Sequence, residues 1–539
     1  MSPQQLSQEQ ARLNLPRPVV PPRRIEPARA GDPARGDRSA VLPPSRRSLL
    51  SGLTGGALGS LGPPEHFRPR DPVLALVHRI TFGFRLDDYE RARTLGFQAY
   101  LDEQLDPFSI EDSHTDDRLA AFPVLDLGPR EVFDAYADRT QDAYVELKSA
   151  RIVRAVDTKR QLHERMCEFW LDHFNVDHNK GLEWMLLPEF ERTVIRPHAL
   201  GSFPAMLSAC AFSGAMLYYL DNWLNVRSAP QENYARELLE LHTLGVDGGY
   251  NETDVAEVAR CFTGWTLNPD AGSPDWMRGV FDSTQHARGQ KLVLGNVIPG
   301  VPHVARPGQP GQRDDAQAVL DIVAAHPSTA RFLARKLIRR FLTPTPPPAL
   351  VERVASTYLE TNGDIKSMLR VILTRENLSA HARAPKYRRP LHFLASLVRG
   401  LDGSAKRRQD TTLAHLVAMG HSPYDYSPPT GYPDDLASWN GALLPRWMFS
   451  VALLRDEYVT DGLAIPGPNA LRAKLEVFGP ADLPGLAQRM NERIFGQMLS
   501  PFEVEILQQF IDGYPSAFGI DALYDSLALA SSLPGYQLY

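Results

Sequence analysis

Gln231–Gly245 reads QENYARELLELHTLG. Tyr234, Leu238, Leu241 and Gly245 recur at the spacing of one helical face, so the stretch is expected to form a single amphipathic helix. Asn233, Glu237 and Glu240 make a polar stripe flanking that face, with His242 on the opposite flank. Two carboxylates three positions apart on a helix can converge on one point, as inward-facing metal ligands do in helical bundles. The same carboxylates can instead tie the helix to an arginine, and Arg236 and Arg260 are near in sequence. The stretch by itself leaves both roles open.

The helical period continues through most of the chain from Asp71 onward. In DPVLALVHRITFGF, Asp71 is an expected N-cap with Pro72 at the first helical position. LDDYERARTLGFQAYLDEQLDP reads as two short helices stopped at Gly96, and Gln141–Val176 as one long periodic run. HPSTARFLARKLIRRFL (His326–Leu342) has an apolar stripe and a basic back, expected to be solvated. A proline break follows, with a new helix near Leu350. SPFEVEILQQFIDGY carries a capping box, Ser500 with Glu503. Alternating patterns are rare. KLVLGNVI (Lys291–Ile298) is the best hairpin candidate, inside a Pro/Gly-rich insertion from Asn268 to Asp315. The expected fold class is mainly α, a large multi-helix domain with a few short strands and a disordered N-terminal arm.

That arm, residues 1–44, is rich in Pro and Arg and has no aromatic residue, so it cannot bury enough apolar surface to order itself. Residues 45–64 follow with Ser45-Arg46-Arg47-Ser48-Leu49-Leu50 and a weakly apolar, Gly-rich stretch, which reads as a twin-arginine export signal. Export in the folded state would place the protein in the periplasm or outside the cell. The 539 residues carry a net charge of -6, which argues against a general nucleic-acid binder. Three scattered cysteines make neither a disulfide scaffold nor a Cys-x-x-Cys metal site. No apolar run approaches the roughly 20 residues of a spanning helix, so no transmembrane segment is expected. The chain lacks His-Glu-x-x-His, Gly-x-Ser-x-Gly, a P-loop and a helix-opening Gly-x-Gly-x-x-Gly, which argues against the enzyme classes those motifs define.

Chemistry-bearing residues nevertheless recur. In QLHERMCEFWLDHFNVDH, His173 shares the face of Leu162, Met166 and Phe169, where a histidine is either a satisfied core residue or a ligand or base whose pKa is easily moved. Asp172, Asp177 and His178 add polar groups at that helix end, and Glu164 and Glu168 are expected on a solvated edge. Asp221 in YLDNWLN closes an apolar helix, as a C-cap or as an oxygen ligand for a hard cation. Trp265 in TGWT reads as core. His173, Asp221, Glu237, Glu240 and His286 are thus the candidate metal-ligand set. Glu237, Glu240 and His173 are the candidate catalytic groups, and a divalent metal is the cofactor they could hold if three or four converge.

Seven phrases in order resemble one bacterial family, catalogued as domain of unknown function 1800. They are HRITFGF (His78–Phe84), EFWLDHF (Glu168–Phe174), AMLYYLDN (Ala215–Asn222), ENYARELLELHTLGVDGGY (Glu232–Tyr250), ARCFTGWT (Ala259–Thr266), HPSTARFLARKLIRRF (His326–Phe341) and PPTGYPDDLASWN (Pro428–Asn440). The resemblance implies a helical domain over 65–455, with 456–539 as a C-terminal helical extension packed on it. It also implies export and a neighbouring sulfatase-like protein as a partner. It names no reaction. The chain departs from the family at Gln231, where an Asn is usual, and at Ala287, where His286 is usually followed by Asp. Two readings follow: a metal-assisted enzyme with a carboxylate/histidine site, or a non-catalytic scaffold for the sulfatase-like protein.

Overall fold

The computed structural model describes residues 71–299, 315–382, 386–455, 462–514 and 518–539. The expected disordered arm and twin-arginine stretch lie outside them. Helices dominate, and their ends follow local chemistry. Asp71 accepts from the Val73 amide at 2.8 Å and starts the Pro72–Ile80 helix. Gly96, at φ +83°, separates Leu86–Leu95 from Phe97–Leu105. Ser500 and Glu503 form their reciprocal box, with 2.7 Å from the Ser500 amide to the Glu503 carboxylate.

The long run from Gln141 breaks into two helices, Thr140–Asp157 and Gln161–His173. Asp112 makes the break: its carboxylate takes the Thr158 hydroxyl and the Lys159 amide. Strands among the described residues form three two-stranded antiparallel pairs, including the hairpin of Lys291–Val293 with Asn296–Ile298. Its two-residue turn uses Leu294 and Gly295, both at positive φ, as a twisted hairpin requires.

QENYARELLELHTLG departs from a single α-helix. Residues Asn233–Glu237 are α-helical, but Leu238–His242 widen into a π turn. Bonding to the fifth residue instead of the fourth rotates everything beyond Glu237. Leu241, expected in the core, is half-buried, and His242, expected on the far flank, is buried. The basic back of Pro327–Phe341 also needs correction. Arg331, Arg335 and Arg339 are exposed, whereas Arg340 is 3% exposed and Lys336 is half-buried.

One apolar core gathers Ile152 and Val153 of Thr140–Asp157, Leu394 and Leu397 of Pro390–Gly400, Phe449 of Leu443–Arg455, and Leu523 and Leu527 of Ile520–Ser532. Tyr536 and Tyr539 belong to it. The last residues are pinned by polar contacts as well. Lys386 and Tyr539 exchange two backbone hydrogen bonds, Arg79 donates to the Tyr539 carbonyl at 2.8 Å, and Arg165 donates to its hydroxyl at 2.9 Å. Arg388 donates to the Tyr536 carbonyl and stacks on its ring. No helix among the described residues is long and apolar enough to cross a membrane.

Removing Pro534–Tyr539 should therefore strip acceptors from four buried arginines, Arg79, Arg165, Arg388 and Arg446, while opening the core. We expect the truncated chain to lose cooperative thermal unfolding by circular dichroism. A sharp transition at the parent temperature would show that these contacts are dispensable.

Candidate functional site

The Gln161–His173 helix is buried almost all round, which no solvated edge could survive. Glu164 and Glu168, expected in solvent, are 4% and 2% exposed. Glu164 is paired with Arg196. Glu168 meets three arginines: Arg165 at 3.4 Å on its own helix, Arg389 at 2.6 Å, and Arg340. Burial pushes the Glu168 carboxyl up, but Arg340, Arg389, Arg165 and Arg151 together hold it well below the usual range. Arg389 also donates to Asp172 at 2.7 Å.

Beyond this knot opens a cavity of about 530 Å³. Phe169, Asp172 and His173 form one side, Lys336, Arg339 and Arg340 a second, and Thr430–Asp435 with Tyr426 the third. The three elements are three of the phrases that carried the family resemblance. The 428–440 loop is fastened to the helix end. Asn175 donates to the Tyr426 and Pro428 carbonyls at 2.7 and 2.9 Å. Gly431 sits at φ +70° against the Asp172 carbonyl, where a Cβ would collide with backbone. Trp439 closes the loop by donating to the Pro433 carbonyl at 3.0 Å.

Within the cavity His173 and Lys336 form a pair. His173 Nε2 donates to the His242 carbonyl at 3.0 Å, so its Nδ1 lone pair accepts from the Lys336 ammonium at 2.8 Å. The carbonyl it uses belongs to the π turn, whose widened backbone leaves acceptors outside the regular ladder. Burial pushes the His173 pKa far below its ordinary range, and the Lys336 charge adds to this. Lys336 is brought down to about 8, chiefly by burial and further by Arg339, against the pull of Asp172 and Asp434. Its ammonium lies over the Phe332 and Phe169 rings, 5.4 and 6.0 Å from their centroids. Asp172 moves the other way: burial raises its carboxyl, and Glu168 raises it further, despite Arg389. The cavity thus holds an amine brought down to about 8 beside a carboxyl raised from its ordinary value, and perturbed groups of this kind gather at functional sites.

The other expected site residues lie elsewhere. Glu240 faces Arg236 at 3.6 Å and shares a hydrogen bond with Tyr250. Glu237 is half-buried beside it, its carboxyl raised by burial and then by Glu240. Asp221 holds Lys180 at 2.6 Å from a left-handed backbone at φ +61°. His286 is buried between the Thr263 carbonyl, 2.8 Å, and Asp315, 3.0 Å, with Lys291 on the same carboxylate. Among the described residues, the group of His, Cys, Asp and Glu whose donor atoms lie within 4.8 Å of one another is Asp177, His178 and Asp425, and none of the five belongs to it. That trio is already satisfied. His178 Nδ1 donates to the Tyr424 carbonyl at 3.0 Å, and Asp177 accepts from the Asn179 amide and the Ser427 hydroxyl. Lys148 stands 3.6 Å from Asp425.

Sequence reasoning therefore reached His173, and Asp172 beside it, but missed Lys336 and the Glu168 knot. For Arg340 a signal existed, since it continues the apolar row of Leu333 and Leu337 at i, i+4 and i+7. For Lys336 none did.

The fold and this cavity define a mainly helical protein built around a desolvated lysine–histidine pair. The chain belongs to the family described as protein of unknown function (DUF1800), which matches residues 75–538. No curated protein and no solved structure matches it.

Two carboxylates should respond differently to loss of charge. Glu168→Gln leaves three buried guanidiniums under-compensated and should cost about 3–5 kcal/mol in chemical denaturation. Glu237→Gln, which relieves a half-buried charge beside Glu240, should stay within about 0.5 kcal/mol of the parent or exceed it. The reverse order would shift structural importance to the 231–245 stretch.

Proposed function

We propose that this protein is an exported enzyme that performs acid–base chemistry on a small molecule in the Lys336–His173 cavity. The observation that supports the reading is Lys336 itself. It is an amine clothed by protein yet open to a cavity, hydrogen-bonded to a neutral imidazole rather than neutralised by contact with a carboxylate. A lysine with a free-amine fraction at neutral pH is a competent base or nucleophile. Asp172 lines the same wall, its carboxyl raised by burial while Arg389 donates to it. Arg340 and Arg389 are consumed by Glu168 and Asp172, whereas Arg339, exposed at the rim, has no ion pair among the described residues.

This refines the carboxylate/histidine site expected from sequence. His173 remains in it, as the acceptor that orients the amine. The lone pair that would ligate a metal already faces Lys336, so proton transfer is better supported than metal assistance at this point. Glu237 and Glu240 then serve the helix packing. Export through the twin-arginine stretch is part of the proposal and is checked by fractionation of cells producing the parent chain and an Arg46→Lys/Arg47→Lys variant.

The test needs no substrate. Lysine acylation by a limiting reagent, mapped by mass spectrometry across pH, reads the free-amine fraction of each side chain. Lys336 loses its proton at lower pH than an ordinary lysine, so its labelling should rise with a midpoint near 8 while surface lysines rise above about 10. Asp172→Asn, which removes a carboxylate favouring the ammonium, should shift that midpoint lower. A Lys336 midpoint among the surface lysines would defeat the enzyme reading and favour a non-catalytic partner of the sulfatase-like protein.

A further inference from the structure

We propose that Lys336 forms an imine with the carbonyl carbon of a small 2-oxo acid whose carboxylate is held by Arg339. The inference rests on the acid–base reading of the same cavity and adds its substrate class. Arg339 lies three positions beyond Lys336, on the same face of the Pro327–Phe341 helix, and both line the cavity. A guanidinium with no ion pair among the described residues, beside an amine, presents two fixed points, one for a planar anion and one for an electrophile. The separation along the helix suits adjacent functional groups of one short molecule. Phe169 and Phe332 flank the amine with apolar surface, and the volume of about 530 Å³ is ample for a small metabolite.

The chemistry balances with groups of the cavity. The neutral amine adds to the carbonyl carbon and forms a carbinolamine. The proton that the ammonium gave up on becoming the amine balances the one with which the hydroxyl leaves as water, and a protonated imine remains. The imine nitrogen takes the place of the amine beside His173, which held the lone pair ready while the amine was protonated. Arg340 and Arg389 do not compete for the substrate carboxylate, because Glu168, Asp172 and Asp434 occupy them.

The experiment is reductive trapping. Pyruvate, and acetone as a ketone without a carboxylate, are each incubated with the full chain at about pH 7.5 and reduced with borohydride. The modified lysines are then mapped by mass spectrometry. Pyruvate should add its own mass less one oxygen at Lys336, at least about tenfold above the average of other lysines, since a depressed pKa raises the free-amine fraction by about two orders of magnitude at that pH. Arg339→Ala should abolish the preference for pyruvate over acetone, with acetone trapping at Lys336 falling only as far as the loss of the Arg339 charge raises the amine pKa. Lys336→Arg, a variant that keeps the charge and is checked by its melting curve, should lose the adduct.

If acylation shows the lowered midpoint at Lys336 but neither ketone is trapped there, imine formation is overturned and the acid–base reading stands. If both ketones are trapped equally in the parent, the oxo-acid assignment is overturned. If the midpoint is ordinary as well, both readings fall together.

Discussion

The contact between Glu168 and its three arginines sets the arrangement of everything around it. A carboxylate taken out of water is costly unless charge and hydrogen bonds replace the solvent. Here the replacement comes from the helix of Glu168 itself, from Pro327–Phe341 through Arg340, and from the start of Pro390–Gly400 through Arg389. Three helices are thus fixed against one point, and no one of them can slide without stranding a charge. Arg389 extends the same logic to Asp172, and Arg340 and Lys386 extend it to Asp434. The cavity wall is the outer face of this network.

That placement explains why Lys336 is so situated. The carboxylates nearest to it are already shared with arginines, so none is free to neutralise the ammonium by contact, and a histidine lone pair takes that role. The neutral imidazole accepts but brings no charge. Burial then acts on the amine with little opposition beyond Asp172 and Asp434 at a distance. A site built this way gains an unusual amine from a surplus of ordinary ion pairs nearby.

The parts of this legible from sequence were those decided within a few residues. The Asp71 cap, the Gly96 stop, the Ser500–Glu503 box and the Lys291–Ile298 hairpin follow from local hydrogen bonding and backbone freedom, and the structure has each of them. His173 was visible because it sat on an apolar face. Glu168 and Lys336 were not, because their environments come from partners 172 and 163 positions away. Periodicity assigns a charged residue to solvent by default, and a helix enclosed on every side breaks that assumption. The π turn at Leu238–His242 was hidden for a related reason. Its widening satisfies tertiary contacts of His242 and leaves no mark in the spacing of apolar residues.

The Arg79 contact with Tyr539 joins positions 460 residues apart. Such a closure comes late in folding, because its chain entropy must be met before the contact returns anything. Until then Arg79 and Arg165 lack their contacts to Tyr539, and the core around Phe82 and Val156 lacks its final aromatic rings. Synthesis from the N-terminus supplies Arg79 and Arg165 long before the residues around Tyr539 that they hold. The contact that completes this part of the core is thus one placed by topology and not by helix formation.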